Sequence, residues 1–379
     1  MKATRNPVLD FGIDKSALQY VGCGLQRPEC ILAEPDGTLW SADARGGVVR
    51  IANGRQQLIT QMHSEHFEHA SSDASRYLEG TLPNGLAFAR SGDILISNFG
   101  TDRLELMSRD GRSKVLANSI DGKPVGKVNF VLRDSKDRIW ITVSTKLKNW
   151  MHALQPDLAD GYIARYEDGA FRIVADGFHF TNEIRFDAKE EFLYVVETTG
   201  GHITRLRFDD KGDVKEREIF GPSPLGKGAW PDGIAFDSHG NLWGTLVYSD
   251  KLFVLTPQGD LRILLDEGDP SKVDALERAF YESRVTESEL FATGRGVAPW
   301  MASVTFGGSD LQTVYIGSLK GHRIPFFRAP ARASHGPLAR QRSANEVRRA
   351  DSREDDGYSR ANTASRAPCP SRGDSRPAD

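Results

Sequence analysis

A short pattern occurs six times along this chain of 379 residues. Each copy has a polar residue in second position, an apolar stretch, a polar turn that usually contains Asp or Gly, and a second apolar stretch around a large residue. The six copies are Pro28–Trp40, Pro83–Leu95, Val128–Trp140, Thr181–Tyr194, Pro231–Trp243 and Ala302–Tyr315. Such self-similarity constrains the fold more than composition does, because every copy has to form the same supersecondary unit.

The spacing within each copy is nearly constant. From the polar residue to the closing large residue the offset is 11 in four copies (29 to 40, 84 to 95, 129 to 140, 232 to 243) and 12 in two (182 to 194, 303 to 315). Two strands joined by a short turn produce this constancy, and another apolar stretch follows. The unit is therefore a four-stranded meander of roughly 45–55 residues, the size of a propeller blade.

The sequence predicts an all-β fold, a six-bladed β-propeller over residues 1–328. A closed ring of six blades leaves no long sheet edge exposed. An open β-sandwich built from repeated hairpins is the alternative. It explains the alternation of apolar and polar residues, but not why a polar residue opens the same strand six times.

The repeated polar residues carry the functional prediction. They are Glu29, Asn84, Asn129, Asn182, Asp232 and Ser303. The innermost strands of a propeller run along its central channel, so we expect these side chains to converge at one mouth of that channel. Carboxylate and amide oxygens suit a hard divalent cation, with Ca²⁺ favoured and Mg²⁺ or Mn²⁺ compatible. Zn²⁺ generally prefers nitrogen or sulfur, although carboxylate sites also hold it.

Several candidate residues also have a simpler structural interpretation. Asn84-Gly85 and Asp232-Gly233 are common turn dipeptides, although one shared register ahead of apolar strands favours the channel. His63, His66 and His69 have the spacing of a solvated helix face, which we prefer to a metal site. Cys30 is expected to be a small buried residue beside Glu29.

The motifs resemble the SMP-30/gluconolactonase family, which includes regucalcin and bacterial sugar lactonases. The resemblance runs from about Gly24 to Arg328. It is carried by Glu29, by PNGLAF from Pro83, by Asn129 before DSKDRIW, by Thr181-Asn182 and by PDGIAFDSHGNLW from Pro231. The last string is the most specific of them.

The resemblance implies a metal-dependent hydrolase that opens a sugar lactone or a related lactone. Glu29, Asn182 and Asp232 match the family's ligands to one divalent cation, and Asp232 would also hold or deprotonate a water. Asn84, Asn129 and Lys127 would orient the substrate, with Lys127 at the position of a family arginine. Residues that follow the polar position depart from the family pattern, namely Cys30, Phe130 and Glu183.

Two other functions stay open at this point. The same scaffold supports hydrolysis of organophosphates, in the manner of diisopropylfluorophosphatase-like enzymes. A non-catalytic binding propeller would need no cation. A strictosidine-synthase-like propeller would lack the Glu/Asn/Asp register, so the register argues against it.

Composition argues against nucleic acid and a membrane span, and the resemblance implies a small-molecule lactone as the partner. The net charge is −3 and no basic stripe dominates residues 1–328, which argues against nucleic acid. No apolar run approaches the ~20 residues that a membrane span needs. The N-terminus lacks the apolar region of a secretory signal. Three scattered cysteines fit a reducing compartment, so we expect a cytoplasmic protein.

Two segments depart from the repeat. Asp266–Leu290 is charged and predicted to be partly helical, covering one face of the ring. Residues 329–379 contain ten Arg but no Lys, Ile, Phe or Trp. Either this tail is a disordered extension, or it is the product of a shifted reading frame, in which case the sixth blade lacks its last piece and closes less well.

Overall fold

The computed structural model describes residues 5–62, 80–167 and 169–334. Within these ranges the repeats form antiparallel four-stranded sheets, one per blade. Blades 1 to 3 consist of β2 (Ile31–Ala33), β3 (Leu39–Asp43), β4 (Gly47–Ala52) and β5 (Arg55–Thr60); β6 (Pro83–Phe88), β7 (Ile94–Asn98), β8 (Arg103–Met107) and β9 (Ser113–Ala117); and β12 (Val128–Arg133), β13 (Ile139–Val143), β14 (Gly161–Glu167) and β15 (Ala170–Phe178). Blades 4 and 5 consist of β16 (Thr181–Phe186), β17 (Leu193–Glu197), β18 (His202–Phe208) and β19 (Val214–Phe220); and β20 (Pro231–Phe236), β21 (Leu242–Leu246), β22 (Lys251–Leu255) and β23 (Leu261–Asp266).

The sixth blade is completed by the N-terminal part of the chain. It consists of β24 (Met301–Gly307), β25 (Thr313–Ser318), β26 (Ile324–Arg328) and, as its outermost strand, β1 (Gln19–Val21). β1 pairs antiparallel with β26, with Gln19 opposite Phe326 and Val21 opposite Ile324. β1 is therefore the fourth strand of this blade and joins the two ends of the propeller through backbone hydrogen bonds, so the incomplete sixth blade expected from a shifted reading frame is not observed.

The innermost strands of neighbouring blades contact one another around the whole ring, and β2 contacts β24 to close it. The six-bladed propeller is thus confirmed, and the open sandwich is wrong. Five of the six copies place their polar residue in register, as described below. The hairpin that recurs along the sequence therefore recurs around the axis of the propeller.

Both ends of the described chain pack against blades 5 and 6. Val8, which lies in a 3₁₀ turn (Pro7–Asp10), is fully buried beside Trp243. Beyond β26 the chain stays on the propeller: Ser238 N donates to Arg332 O at 2.8 Å, and Ser334 N donates to Phe236 O at 2.9 Å. Residues 329–334 of the predicted tail therefore lie along the propeller, whereas 335–379 lie outside the described residues.

A buried tryptophan closes the first hairpin in three blades, and each donates its indole N–H to an acidic residue six positions earlier. The pairs are Trp40 with Glu34 at 3.2 Å, Trp140 with Asp134 at 2.8 Å, and Trp243 with Asp237 at 2.9 Å. Because a buried indole N–H needs an acceptor, the acid in the turn and the aromatic in the strand form one structural unit. In blades 1, 3 and 5 this explains why the repeat combines a polar turn with a large residue at fixed spacing.

The remaining elements lie between or within the blades. A small hairpin, β10 (Ser119–Ile120) with β11 (Lys123–Pro124), precedes blade 3, and 3₁₀ turns occur at Lys15–Ala17 and Trp150–Ala153. Two helices, α1 (Pro270–Tyr281) and α2 (Glu287–Phe291), connect blades 5 and 6, which confirms the predicted helical insertion. None of the helices in the described ranges has the length and hydropathy needed to cross a bilayer. His63, His66 and His69 fall outside the described residues.

Candidate functional site

A β-bulge interrupts the pairing of the inner strand in blades 2 to 6, whereas the pairing of β2 with β3 in blade 1 shows no shift. In β6 the ladder register shifts between Pro83 and Leu86, which leaves Asn84 unpaired. The same shift lies at four further positions: Val128/Phe130, Thr181/Ile184, Pro231/Ile234 and Met301/Val304. Bulges re-aim side chains in this way next to active sites. In blades 2 to 5 the constant spacing in the sequence is therefore the spacing from bulge to hairpin, and in blade 1 Glu29 lies just before β2.

The sixth inner strand breaks the polar series. Tyr315 pairs with Thr305, whereas in blade 5 Trp243 pairs with Ala235, three residues after Asp232. By that register the counterpart of Asp232 in blade 6 is Ala302. Ser303, the residue expected from the sequence, instead donates through its hydroxyl to Glu29 O. The channel position thus carries five polar side chains and one alanine, and the assignment of Ser303 to that position is wrong.

The glycine after Asp232 has a packing role rather than a turn role. Asp232 and Gly233 lie within β20. A Cβ added at Gly233 would stand 2.3 Å from Ala302 O and 2.5 Å from Ser303 Cα. A Cβ added at Gly85, within β6, would stand 2.7 Å from Phe130 Cα. The alternative prediction that Asn84-Gly85 and Asp232-Gly233 form turns is therefore wrong. Glycine is needed at both positions because the inner strands of adjacent blades approach closely.

The structure brings together Glu29, Asn84, Asn129, Asn182 and Asp232 at one mouth of the channel, all of them buried. The Asn84 side-chain N–H₂ donates to Glu29 Oε1 at 3.0 Å and to Asn129 O at 3.0 Å. Its oxygen accepts from the Arg27 guanidinium. These contacts fix the orientation of the Asn84 amide, because a guanidinium can only donate.

Hydroxyls directly after the second strands of blades 3 and 4 position the other amides. Asn129 Nδ2 donates to Ser144 Oγ at 3.0 Å, and Ser144 Oγ donates to Thr181 O in the next blade. Asn182 Nδ2 donates to Thr198 Oγ1 at 3.1 Å, and Thr198 Oγ1 donates to Pro231 O. Each amide is thus held by a hydroxyl that also ties its blade to the following one.

Two acceptor atoms in the centre lack a hydrogen-bond partner. Among the described residues, Glu29 Oε2 and Asn182 Oδ1 are buried with no donor. Burial raises the pKa of Glu29 to about 8, with Arg27 opposing and Glu183 adding to the shift. Burial, followed by the nearby Glu29 and Glu183 charges, also holds the pKa of Asp232 well above its usual range. Orphaned oxygens beside two carboxyls that repel each other fit a bound cation, which would satisfy the oxygens and neutralise the charge.

The donor set consists of oxygen atoms only. In the described part of the chain no group of three or more His, Cys, Asp or Glu residues is placed to hold a metal. A site here would therefore combine Glu29 and Asp232 with the amide oxygen of Asn182. Carboxylates with an amide oxygen suit a hard cation such as Ca²⁺ or Mg²⁺ better than a thiolate- or imidazole-preferring metal.

Glu183 is a third buried carboxyl that the repeat pattern did not indicate as functional. It follows Asn182, and its Oε2 accepts from Ile234 N at 3.1 Å and from Arg185 at 3.1 Å. Burial raises its pKa to about 7, while Arg185 opposes the shift. Cys30 takes the corresponding place in blade 1, where its Sγ accepts from Leu86 N at 3.2 Å. Two of the three departures from the family pattern, Cys30 and Glu183, therefore bind neighbouring blades together, and Cys30 is buried as expected.

Lys127 does not line the cavity. Its Nζ is fully buried, forms an ion pair with Asp102 Oδ1 at 2.9 Å and donates to Phe99 O at 3.3 Å. The cation that does reach the cavity is Arg27, which the repeat could not reveal because it precedes the first copy. Arg27 has φ of 55°, an unusual left-handed conformation for a non-glycine residue and one that recurs at functional sites.

The cavity above these polar groups has apolar walls. It holds about 480 Å³, including the part open to solvent. Its apolar lining consists of Phe99, Trp150, Phe180, Val247, Tyr248, Trp300 and Leu319. Most of these residues come from the loops that begin or end the inner two strands, and they were not indicated by the repeat. Helix α1 packs Val273, Leu276 and Phe280 behind them.

Known proteins match this chain over its propeller. The model of the SMP-30/Gluconolactonase/LRE-like region matches residues 27–266. A pentonolactonase of Haloferax volcanii is 35% identical over 35% of this chain and 42% of its own length. A 6-deoxy-6-sulfogluconolactonase of Pseudomonas putida is 26% identical over 40% of this chain and 42% of its own length. Each match thus spans less than half of the relative.

Among solved structures, a gluconolactonase from Xanthomonas campestris superposes with a TM-score of 0.58. It is 20% identical, and the match covers 83% of this chain and 89% of that one. At this identity the likeness establishes the propeller fold and not the activity.

Proposed function

Because the chain belongs to the SMP-30/gluconolactonase/LRE-like family, we propose that it is a divalent-metal-dependent hydrolase that opens a lactone. The observation that carries the proposal is the pair of buried, unpartnered oxygens, Glu29 Oε2 and Asn182 Oδ1, beside the Asp232 carboxyl. The two relatives named as lactonases support the reaction class.

Glu29, Asn182 and Asp232 are the proposed ligands, with Ca²⁺ the favoured cation and Zn²⁺, Mg²⁺ or Mn²⁺ compatible. The ligands come from blades 1, 4 and 5, so a single cation would tie three blades together. When bound, a divalent cation would polarise the lactone carbonyl and lower the pKa of a water. We therefore expect the same ion to serve both stability and reaction.

The chain's own groups complete the chemistry. Asp232 is the proposed base: it takes a proton from the attacking water as the new C–O bond forms at the carbonyl carbon. The ring C–O bond then breaks, and that proton neutralises the departing alkoxide. Asn84 and Asn129 lie beside this centre and are proposed to contact the lactone ring next to the reacting carbonyl, while they keep their own hydrogen bonds. Lys127, which is held by Asp102, would act only through the wall residue Phe99.

Metal analysis followed by a lactone panel tests the proposal. Purified full-length protein is expected to contain about one equivalent of a divalent cation. Chelation should abolish lactone opening and lower the melting temperature, and the added cation should restore both. A melting curve that chelator does not change would instead support a non-catalytic binding propeller.

A phosphotriester panel tests the remaining alternative. Paraoxon and diisopropyl fluorophosphate would be assayed beside the lactones with the same cation-loaded protein. Turnover of the phosphotriesters without lactone opening would assign the site to organophosphate hydrolysis.

A further inference from the structure

The cavity divides into a polar floor and an apolar wall. All of the carboxyl and amide groups lie on the floor, in the channel mouth. The wall above it is formed by the seven apolar residues given above, of which only Leu319 is more than marginally exposed. A substrate whose reacting carbonyl meets the floor would place its substituent against this wall.

The floor has few groups left for substrate hydroxyls. Asn84 is engaged at both ends, by Glu29 and Asn129 through its nitrogen and by Arg27 through its oxygen. Asn129 is engaged with Asn84 and Ser144. The unpartnered Glu29 Oε2 and Asn182 Oδ1 are the proposed cation ligands. With the two amides and the two ligand oxygens already engaged, a polyhydroxylated lactone would bury hydroxyl groups that have no hydrogen-bond partner. Each such hydroxyl costs binding free energy.

Much of the wall is aromatic ring surface. Trp300 donates its indole N–H away from the cavity, to Thr293 Oγ1 at 2.8 Å. The Trp150 ring packs edge-on between Phe99 and Phe180, with ring centroids 6.1 and 6.2 Å apart. On the other side the Tyr248 ring packs against Trp230 and Trp300. Rigid aromatic rings in such pairs give a preformed surface that gains free energy by covering apolar area.

We infer that the substrate is a lactone carrying an apolar alkyl or aryl substituent, rather than the hydroxyl groups of a sugar lactone. The inference rests on the proposed function for the reaction and on the wall for the substituent. The carbonyl would lie over Glu29, Asn182 and Asp232, and the substituent would pack between the two aromatic groups centred on Trp150 and Tyr248.

A substrate series tests the inference. The cation-loaded full chain would be assayed with δ-valerolactone, δ-octalactone, δ-decanolactone, dihydrocoumarin and glucono-δ-lactone, with the spontaneous rates subtracted. We expect kcat/KM to rise about fourfold for each methylene buried. Glucono-δ-lactone should be at least about 100-fold poorer than δ-decanolactone. If glucono-δ-lactone equals or exceeds the alkyl lactones, the inference is overturned while the proposed function stands.

Binding of inert analogues keeps the two proposals separate. If no lactone opens with any cation, the proposed function fails. Calorimetric measurement of the affinity for δ-lactams, which are not hydrolysed, then tests whether the cavity prefers an apolar substituent. Tighter binding of a pentyl-substituted δ-lactam than of gluconolactam would support the apolar site. Equal or weaker binding would overturn it.

A wall variant adds a structural control. Leu319→Gln places an amide on the partly exposed edge of the wall, and Ile263→Gln places the same group on the outer strand β23. We expect Leu319→Gln to flatten the dependence on alkyl length and Ile263→Gln to leave it unchanged. An unchanged dependence in Leu319→Gln, with δ-decanolactone still bound, would contradict the proposed placement of the substituent.

Discussion

Asn84 donates its side-chain N–H₂ to Glu29 Oε1 at 3.0 Å, across the boundary between the second and first blades. One carboxylate oxygen of Glu29 is thereby held by a neutral donor, while Oε2 stays without a hydrogen-bond partner among the described residues. The bond has a direction because Arg27 occupies the amide oxygen of Asn84. The orientation of Glu29 therefore depends on residues that the proposed cation does not touch.

Replacing Asn84 should weaken cation binding. Asn84→Leu keeps the approximate volume but removes the donor to Glu29, and loss of such outer partners typically costs 10- to 100-fold in metal affinity. Calorimetric titration with Ca²⁺ and Mn²⁺ would measure the effect. The control is Asn118→Leu, an exposed position on the neighbouring loop. Unchanged affinity in Asn84→Leu would show that Glu29 needs no support from this amide.

Removing the Asp232 charge should separate activity from stability. We expect Asp232→Asn, like Asp232→Ala, to abolish lactone opening, because both the proposed base and a ligand charge are lost. Above pH 8, where Glu29 is ionised, the metal-free Asp232→Asn protein should melt at a higher temperature than the metal-free wild type, since a buried charge that repels Glu29 is gone. Asp210→Asn, at an exposed position, is the control for both assays. Wild-type hydrolysis by Asp232→Ala would refute the assignment.

Cation binding should release a proton. The pKa of Glu29 is raised to about 8 by burial, so the metal-free site holds a proton at neutral pH. Because a cation binds the carboxylate form, its affinity should rise up to about tenfold per pH unit between pH 6 and 8. Titrations in buffers with different ionisation enthalpies would count the protons released. Affinity independent of pH over this range would contradict the shifted pKa.

The same shift predicts how the chelated protein responds to pH. The folded pKa of Glu29 lies above the unfolded value of 4.5, so protonation of Glu29 stabilises the folded chelated protein. This stabilisation is complete below pH 4.5 and is lost as pH rises through about 8. The free energy of unfolding of chelated protein should therefore fall across this window, and bound cation should remove the decline. Denaturant titrations at pH 5, 6.5 and 8 would measure both curves.

The acid–tryptophan pair of blade 5 should be a stability determinant. Asp237 accepts from Trp243 Nε1 and Asn241 Nδ2 and from two backbone N–H groups, so Asp237→Ala would leave several buried donors unpaired. We expect a loss of at least about 2 kcal/mol in the free energy of unfolding. Asp187→Ala changes the corresponding turn of blade 4, where the acid accepts from Glu191 N, and should cost less. Equal losses would indicate that the tryptophan contact contributes nothing.

Glu197 should make the protein sensitive to acid. Hydrogen bonds from His202, His179 and Thr204 outweigh burial and lower the Glu197 pKa to about 2, from 4.5 in the unfolded chain. The resulting stabilisation, about 3 kcal/mol, is present above pH 4.5 and is lost as pH falls toward 2. Glu197→Gln removes this titration. The difference between wild type and variant in free energy of unfolding should therefore shrink between pH 5 and 3, and parallel curves would contradict the shift.

Local repetition in the sequence was sufficient for the blades and for five of the six channel positions. Glu29, Asn84, Asn129, Asn182 and Asp232 could be identified because each lies at a nearly constant spacing from the hairpin after it, which contiguous residues form. The sixth position was missed for the same reason. The longer turn before Tyr315 shifted the apparent register by one, so that Ser303 was chosen in place of Ala302.

The sequence by itself determined the repeat, the blade number and the oxygen-rich donor set, since each of these depends on patterns of residues that are close together in the chain. Only the tertiary structure decided that β1 completes the sixth blade, that Arg27 rather than Lys127 reaches the cavity, and that aromatic loops wall it. These features arise from closure of the ring, which brings residues of different blades into contact. No short-range pattern encodes which side chains then meet, because their packing depends on the geometry of all six blades at once.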